Sequence, residues 1–309
     1  MAKPKANKPS LAAKLLAELQ RHARSNVIDL RSAIDGRAMA EELQRTMASP
    51  QRLAGMHPSH AAYVCVQNQV SVLMELLTGL NAMAPFADMF AKADDMYMPN
   101  GPPMSPLTRS YFTCWAFFDA RCGPTDETFG TILLDVGAAL GLHGELLRLI
   151  RLMQQSRMGV YFHEGKDGNL AILRDLATDA VHRCFVPAGY AGKKGELWYA
   201  RVLPPPLATD SATGSVSIVF TTPYLLIETP LAEWIAYFQR VLPVASSPER
   251  IDAAERHMKY GPSHAYWNEF VFEGYANHRH EAVFLIGLPD MPESRPHSPA
   301  YRPRAGQWG

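Results

Sequence analysis

The sequence predicts an α+β protein: an antiparallel helical bundle with a small five-stranded SH3-like or OB-like β-barrel and a helical C-terminal segment. Three observations predict it. Between Arg157 and Ile227, five short runs rich in β-branched and aromatic residues are separated by turn-forming residues. On both sides of that stretch, apolar residues recur at helical spacing. The helices expected between Ser105 and Ser156 are joined by short connections, which makes consecutive helices antiparallel neighbours. The implied segments are a basic helical arm (1–50), a helical bundle (51–156), the barrel (157–228), a C-terminal helical segment (229–290) and a loosely ordered tail (291–309).

The first helix follows from Ser10, an N-cap residue, and from Leu11, Leu15, Leu16 and Leu19 on one face. A second is expected from about Ser32 to Met47, before Pro50. Both carry a narrow apolar stripe, which suits a mobile arm or an oligomerisation helix. From Ser59 to Ala82 a longer helix aligns Val66, Val70, Leu73, Leu77 and Leu80. The Pro- and Gly-rich DDMYMPNGPPMSP is expected as loop. Ser105 then caps a helix with Pro106 at its first position, carrying Tyr111, Phe112, Trp115 and Phe118 on one wide face, and Gly123 ends it. The next opens at Thr125, with Asp126 and Glu127 matching the positive end of the dipole, and stops at Gly141. A further helix spans Leu142 to about Ser156.

The strands are MGVYFHE, NLAILRDL, AVHRCFV, LWYARVL and VSIVFTTPYLLI, read as a curved meander. In LWYARVL, alternation sets Trp198, Ala200 and Val202 on the more apolar face, expected to be the core. After the barrel, helices are expected from Pro230, from Pro248 to Gly261, and from Ser263 to His278. EAVFLIGL reads as a buried strand or apolar cap.

Composition bounds the function class. With 309 residues, 47% hydrophobic and 19% charged, the chain is ordinary for a globular protein with a sizeable core. No window approaches the ~18–20 apolar residues of a membrane span. The basic MAKPKANKPS precedes an amphipathic helix, so neither a secretory signal nor a membrane role is expected and the cytoplasm is the default. The net charge is zero, yet residues 1–50 carry nine Lys/Arg against five Asp/Glu, and residues 51–156 carry six against nine. The basic head therefore suits an acidic partner surface or a nucleic-acid backbone. Cys65, Cys114, Cys122 and Cys184 form no CxxC pair, which points to reduced structural thiols.

Candidate binding residues lie in two places. The Gly-rich barrel loop PAGYAGKKGE presents Tyr190, Lys193 and Lys194; backbone N–H groups beside lysines suit phosphate, though GxxxxGK[ST] is missing. The arm contributes Lys3, Lys5 and Lys8. The polar cluster Asn277 to Glu281 offers His278, His280 and Glu281 as an alternative metal set, with His257, His264, Glu273 or Asp290 nearby in sequence. Basic residues at a helix C-terminus explain the same cluster without a metal. Arg52 and His57 have the Arg-x4-His spacing of helical ribonucleases of the HEPN type, which they resemble. Here Leu53 replaces the usual polar residue, and Gly55 and Pro58 interrupt the helix. No GxSxG, GxGxxG, kinase or zincin signature is present, and no catalytic residue or cofactor is assigned.

Leu173–Leu176 with Thr178, Gly195-Glu196-Leu197 leading to Ala200–Pro204, and Pro223-Tyr224 resemble a small β-module of uncharacterised bacterial proteins, some of which end in a SEC-C zinc tail. The cysteine-rich tail is missing here. The resemblance implies a barrel and a bacterial origin, and no activity. The resulting expectation is a non-enzymatic cytoplasmic binding or assembly subunit using the barrel and basic arm as contact surfaces. Its partner would be a protein or a second copy of the chain, with nucleic acid as another candidate. A metal-dependent hydrolase or nuclease on His278, His280 and Glu281 is the alternative.

Overall fold

The computed structural model describes residues 9–24, 49–98, 105–206, 216–243 and 248–296, and among these ten α-helices, two short 3-10 helices and eight strands account for the regular structure. The helices are α1 (Leu11–Arg24), α2 (Pro50–Ala54), α3 (Pro58–Thr78), α4 (Ala84–Tyr97), α5 (Arg109–Phe118), α6 (Phe129–Val136), α7 (Gly144–Gln155), α8 (Leu231–Val241), α9 (Pro248–Tyr260) and α10 (Tyr266–Gly274). The strands are β1 (Met158–Asp167), β2 (Leu170–Asp175), β3 (Val181–Phe185), β4 (Leu197–Leu203), β5 (Ser217–Val219), β6 (Tyr224–Ile227), β7 (Tyr275–Arg279) and β8 (Ala282–Ile286). The helix expected at Ser32–Met47, the lysines at 3, 5 and 8, and most of the expected tail lie outside the described residues. Among the described residues, no single helix is long and apolar enough to cross a membrane. The chain divides into two compact units, Met1–Lys92 with Ala116–Gln154, and Ala93–Trp115 with Gln155–Gly309.

The first unit is helical. Leu11 and Leu15 of α1 are buried, so this stripe is covered within the chain instead of serving a mobile arm. Two carboxylates lock α1 in place. Glu127 accepts the backbone N–H groups of Leu11 (2.6 Å) and Ala12 (3.0 Å), capping a helix 115 residues away in sequence. In return, Glu18 accepts from Asn81 (3.1 Å) and Ala82 (2.8 Å), at the start of the segment leading into α4. The Ala82 N–H, more than any other neighbour, holds the Glu18 carboxyl below its usual range, although burial opposes it. Glu127 therefore does not open α6, as its acidic first-turn pattern suggested. Thr128 caps α6 through a reciprocal box with Thr131. Helix α4 replaces the end of the expected loop: Asp94–Tyr97 are helical, and Phe86 stacks on Phe129 at 5.0 Å.

The second unit is built on one sheet of order β1-β2-β3-β5-β4-β6-β8-β7, in which β1 also pairs with β4. The first five strands of that order thus close into a barrel. The closure is not a meander. β3 pairs with β5 in parallel, Cys184 opposite Ser217, while β4 pairs antiparallel with both β1 and β5. The expected fifth strand is split: β5 completes the barrel, and β6 pairs with the first half of β4 and then in parallel with β8. β1 pairs with β4 over Met158–Phe162 and with β2 over Tyr161–Asp167, and a register shift between His163 and Gly165 interrupts the β2 pairing. Tyr161, Ala171, Leu173, Cys184, Trp198, Ala200, Val202 and Val219 pack together as one buried core.

Every residue of β4 is buried, on both faces. Trp198 lies in the barrel core as alternation predicts. The opposite face is buried as well, because Tyr199 packs on Tyr111 of α5 and stacks on Trp267 of α10 at 5.2 Å. α5 starts at Arg109, not at Ser105. Thr108 caps it by accepting from Tyr111 N–H, and its own N–H donates to Tyr224 Oη at 2.9 Å. The last expected helix stops at Gly274, four residues before His278; β7 follows as the edge strand of the sheet.

Candidate functional site

The barrel loop is built around one carboxylate. Glu196 accepts hydrogen bonds from Tyr190 Oη (2.9 Å), Lys193 N–H (3.0 Å) and Trp198 Nε1 (3.1 Å). Burial, then Glu196, pushes the Tyr190 phenol up to about 12, so it remains a donor. Gly192 sits at φ +65°, and a Cβ there would stand 2.3 Å from Trp198 Cζ2 and 2.8 Å from His163 Cδ2. The segment between β3 and β4 is therefore a plug over the Trp198 end of the barrel. Tyr190 belongs to the plug, its ring 5.6 Å from that of Trp198, while Lys193 and Lys194 are exposed on it. His163, buried beneath the loop, is held neutral over a wider pH range because burial disfavours its charge.

A second constellation lies beside β7. His278, Arg279 and His280 are exposed, on a strand and its turn instead of a helix end, so the helix-dipole explanation does not apply. Tyr275 Oη lies 2.6 Å from His278 Nδ1, with the two rings stacked. Arg279 lies over the Phe284 ring, 5.5 Å from its centre. His278 and Tyr275, with Val283 of β8, face a cleft of about 750 Å³, together with Asp94 and Met98 at the end of α4 and Ser105–Arg109 at the start of α5, whereas the Arg279 side chain lies on the opposite, barrel-side face of the sheet with Ala282 and Phe284.

Three of the four neighbouring candidates, His257, Glu273 and Asp290, are engaged elsewhere. His257 Nε2 meets Tyr237 Oη at 2.6 Å, Asp290 pairs with Arg240 at 2.8 Å, and Glu273 pairs with Arg295. Among the described residues, no group of three or more His, Cys, Asp or Glu side chains is placed to hold a metal ion. Arg52 and His57 do not share a helix. Arg52 lies in α2 and His57 is the N-cap position of α3, with Gly55 ending the former.

No family model, no curated protein and no solved structure matches the chain.

Sequence reasoning missed Glu196 as the loop anchor, though a lone acid after GKKG and two before Trp is the available signal. It also missed Arg109, Thr108 and Asp94, which only the fold brings to the cleft. A buried ion pair was equally hidden: Arg157 meets Asp175 at 2.9 Å, and Asp175 also accepts from the Ala177 N–H at 2.8 Å, closing the turn after β2.

Proposed function

We propose that the chain is a non-enzymatic binding or assembly subunit of the bacterial cytoplasm, that its barrel is of the OB type, and that the Lys193–Lys194 loop and the basic arm contact an acidic face of a protein partner. The OB reading is supported by the strand circuit. An SH3-like meander runs antiparallel throughout, whereas this barrel closes in Greek-key fashion through the parallel β3–β5 pair. The observation that carries the binding role is the filled interior. Trp198, Tyr161 and Leu173 occupy the core and the Glu196-anchored loop closes one end, so a ligand of this barrel must bind its outside. On that outside, Lys193 and Lys194 are mounted on a loop whose shape is fixed by three hydrogen bonds to one carboxylate. Pre-organisation of this kind lowers the entropic cost of binding. The cytoplasmic assignment is supported by the thiols. Burial pushes the Cys122 and Cys184 thiols up to about 12, which suits inert structural thiols in a reducing compartment.

Fluorescence anisotropy with labelled poly-glutamate tests the reading. Binding that weakens with added salt and is lost in the K193E/K194E double variant is the expected result. Single-stranded DNA in the same assay separates a nucleic-acid partner from an acidic protein. Equal binding by the wild type and the double variant would remove the loop as a contact surface.

A further inference from the structure

We infer that His163 is an acid-operated latch under the β3–β4 loop: when its ring takes up a proton, the loop that carries Lys193 and Lys194 lifts off the end of the barrel. The consequence for partner binding rests on the reading of that loop as the contact surface; the latch itself does not. His163 lies on β1 and is 0% exposed. Its main chain is tied to the end of the loop. It donates to the Glu196 carbonyl at 2.9 Å and accepts from the Gly195 N–H at 2.8 Å. Its ring lies 5.2 Å from that of Trp198. Nδ1 accepts from the Gly165 N–H at 3.2 Å, so the single proton of the neutral ring resides on Nε2. Nε2 is buried against Gly192.

A second proton can go only to Nδ1, where it would meet the Gly165 N–H, donor against donor. Turning the ring gives no relief, because a flip exchanges Nδ1 with Cδ2, which cannot accept either. Moving the ring outward is blocked by the loop: a Cβ on Gly192 would stand only 2.9 Å from Nε2. The charged ring is left with a lost hydrogen bond and no water, and lifting Gly192 away relieves both. The surrounding charges do not reverse this. The Ala191 carbonyl and the Glu196 carboxylate favour the charged ring, Lys166 opposes it, and burial outweighs them. Tyr190 keeps its proton and donates it to Glu196. On the adjoining strands, Leu173 opposite His163 is apolar, and His182 is set against Asp175 and Arg157. The ring is therefore more basic with the loop open than with it closed. Opening is favoured as pH falls through the ordinary value of 6.5 and levels off below the closed-state value.

Hydrogen–deuterium exchange of the full-length protein alone, at about pH 7.5 and about pH 5.5 and corrected for the intrinsic effect of pH, tests the latch. The amides of Gly165, Lys193 and Gly195 report on it, because each is bonded within the closed arrangement. Their protection should fall at the lower pH by severalfold, up to about tenfold, beyond any change at the β2 amides; tenfold is the ratio allowed one unit below the ordinary histidine value. H163N keeps an acceptor beside Gly165 but does not titrate, and its loop should be protected equally at both pH values. A titration of the wild-type ring resonances gives a second measure that needs no variant: the midpoint of loop opening should follow that of His163. Equal corrected protection in the wild type, loss of protection that persists in folded H163N, or an opening midpoint that does not follow the His163 ring overturns the latch. Poly-glutamate is absent from these measurements. Loop opening in acid without poly-glutamate binding at any pH therefore supports the latch and removes the loop as a contact surface.

Discussion

Glu196 shows how much one side chain can organise. Its carboxylate satisfies a phenol, an indole and a backbone amide, and so ties the loop after β3 to the core residue Trp198. Replacing it with alanine should cost about 1–3 kcal/mol, because the indole N–H of buried Trp198 and the half-buried Tyr190 phenol lose a charged acceptor. Urea denaturation followed by tryptophan fluorescence measures this, and an unchanged midpoint would show that the plug contributes nothing to stability. Trp198 lies deeper, fully buried in the barrel core. Trp198→Ala should cost about 3–5 kcal/mol through lost burial and the cavity left behind. Thermal melting checks it; a folded variant with wild-type melting temperature would contradict the core assignment. Trp198 was legible in the sequence because alternation along β4 is local. Glu196 was not, because its three partners meet only when the loop folds back.

At the scale of elements, α1 is held by reciprocal carboxylate caps and not by its leucine stripe alone. Glu18→Gln should destabilise the first unit by about 0.5–2 kcal/mol, the range for losing a helix-start cap. Because the Glu18 carboxyl is held below its ordinary value of 4.5, its contribution is present above that pH and disappears as pH falls through the folded value. Comparing wild type and variant near neutrality and in acid should show the difference shrinking; a constant difference would refute the charge-based cap. The elements read correctly from sequence were those with a strong local period, the first four barrel strands and α3 among them. Those misread had a non-local cause. Glu127 looked like a first-turn acid of the following helix but serves α1. Residues 275–279, Tyr-Ala-Asn-His-Arg, form an exposed edge strand without apolar alternation, and resembled the end of a helix. The break between β5 and β6 falls at Phe220–Pro223, inside a run rich in strand formers, and is set by which neighbours β4 accepts.

At the scale of the whole chain, four histidines share one consequence. Burial lowers the proton affinity of His60, His163, His182 and His257 below the ordinary value of 6.5. Below about pH 6.5 the unfolded chain takes up protons that the folded chain refuses, so stability must fall as pH drops through 6.5 and level off only below the folded values. Denaturation midpoints at about pH 7.5 and about pH 5.5 measure this, and equal midpoints would contradict the burial of these imidazoles. The candidate sites were only half legible. Lys193 and Lys194 stood out as adjacent lysines in a glycine-rich loop, whereas the cleft required residues from α4, α5 and β7 that are far apart in sequence. The proposed contact surface is the outside of the barrel at that loop. Hydrogen–deuterium exchange with and without poly-glutamate tests it most directly. Slowed exchange concentrated in residues 187–196 and lost in K193E/K194E is the expected result; protection confined to other parts of the chain, or none at any peptide concentration, would rule the loop out as the contact surface.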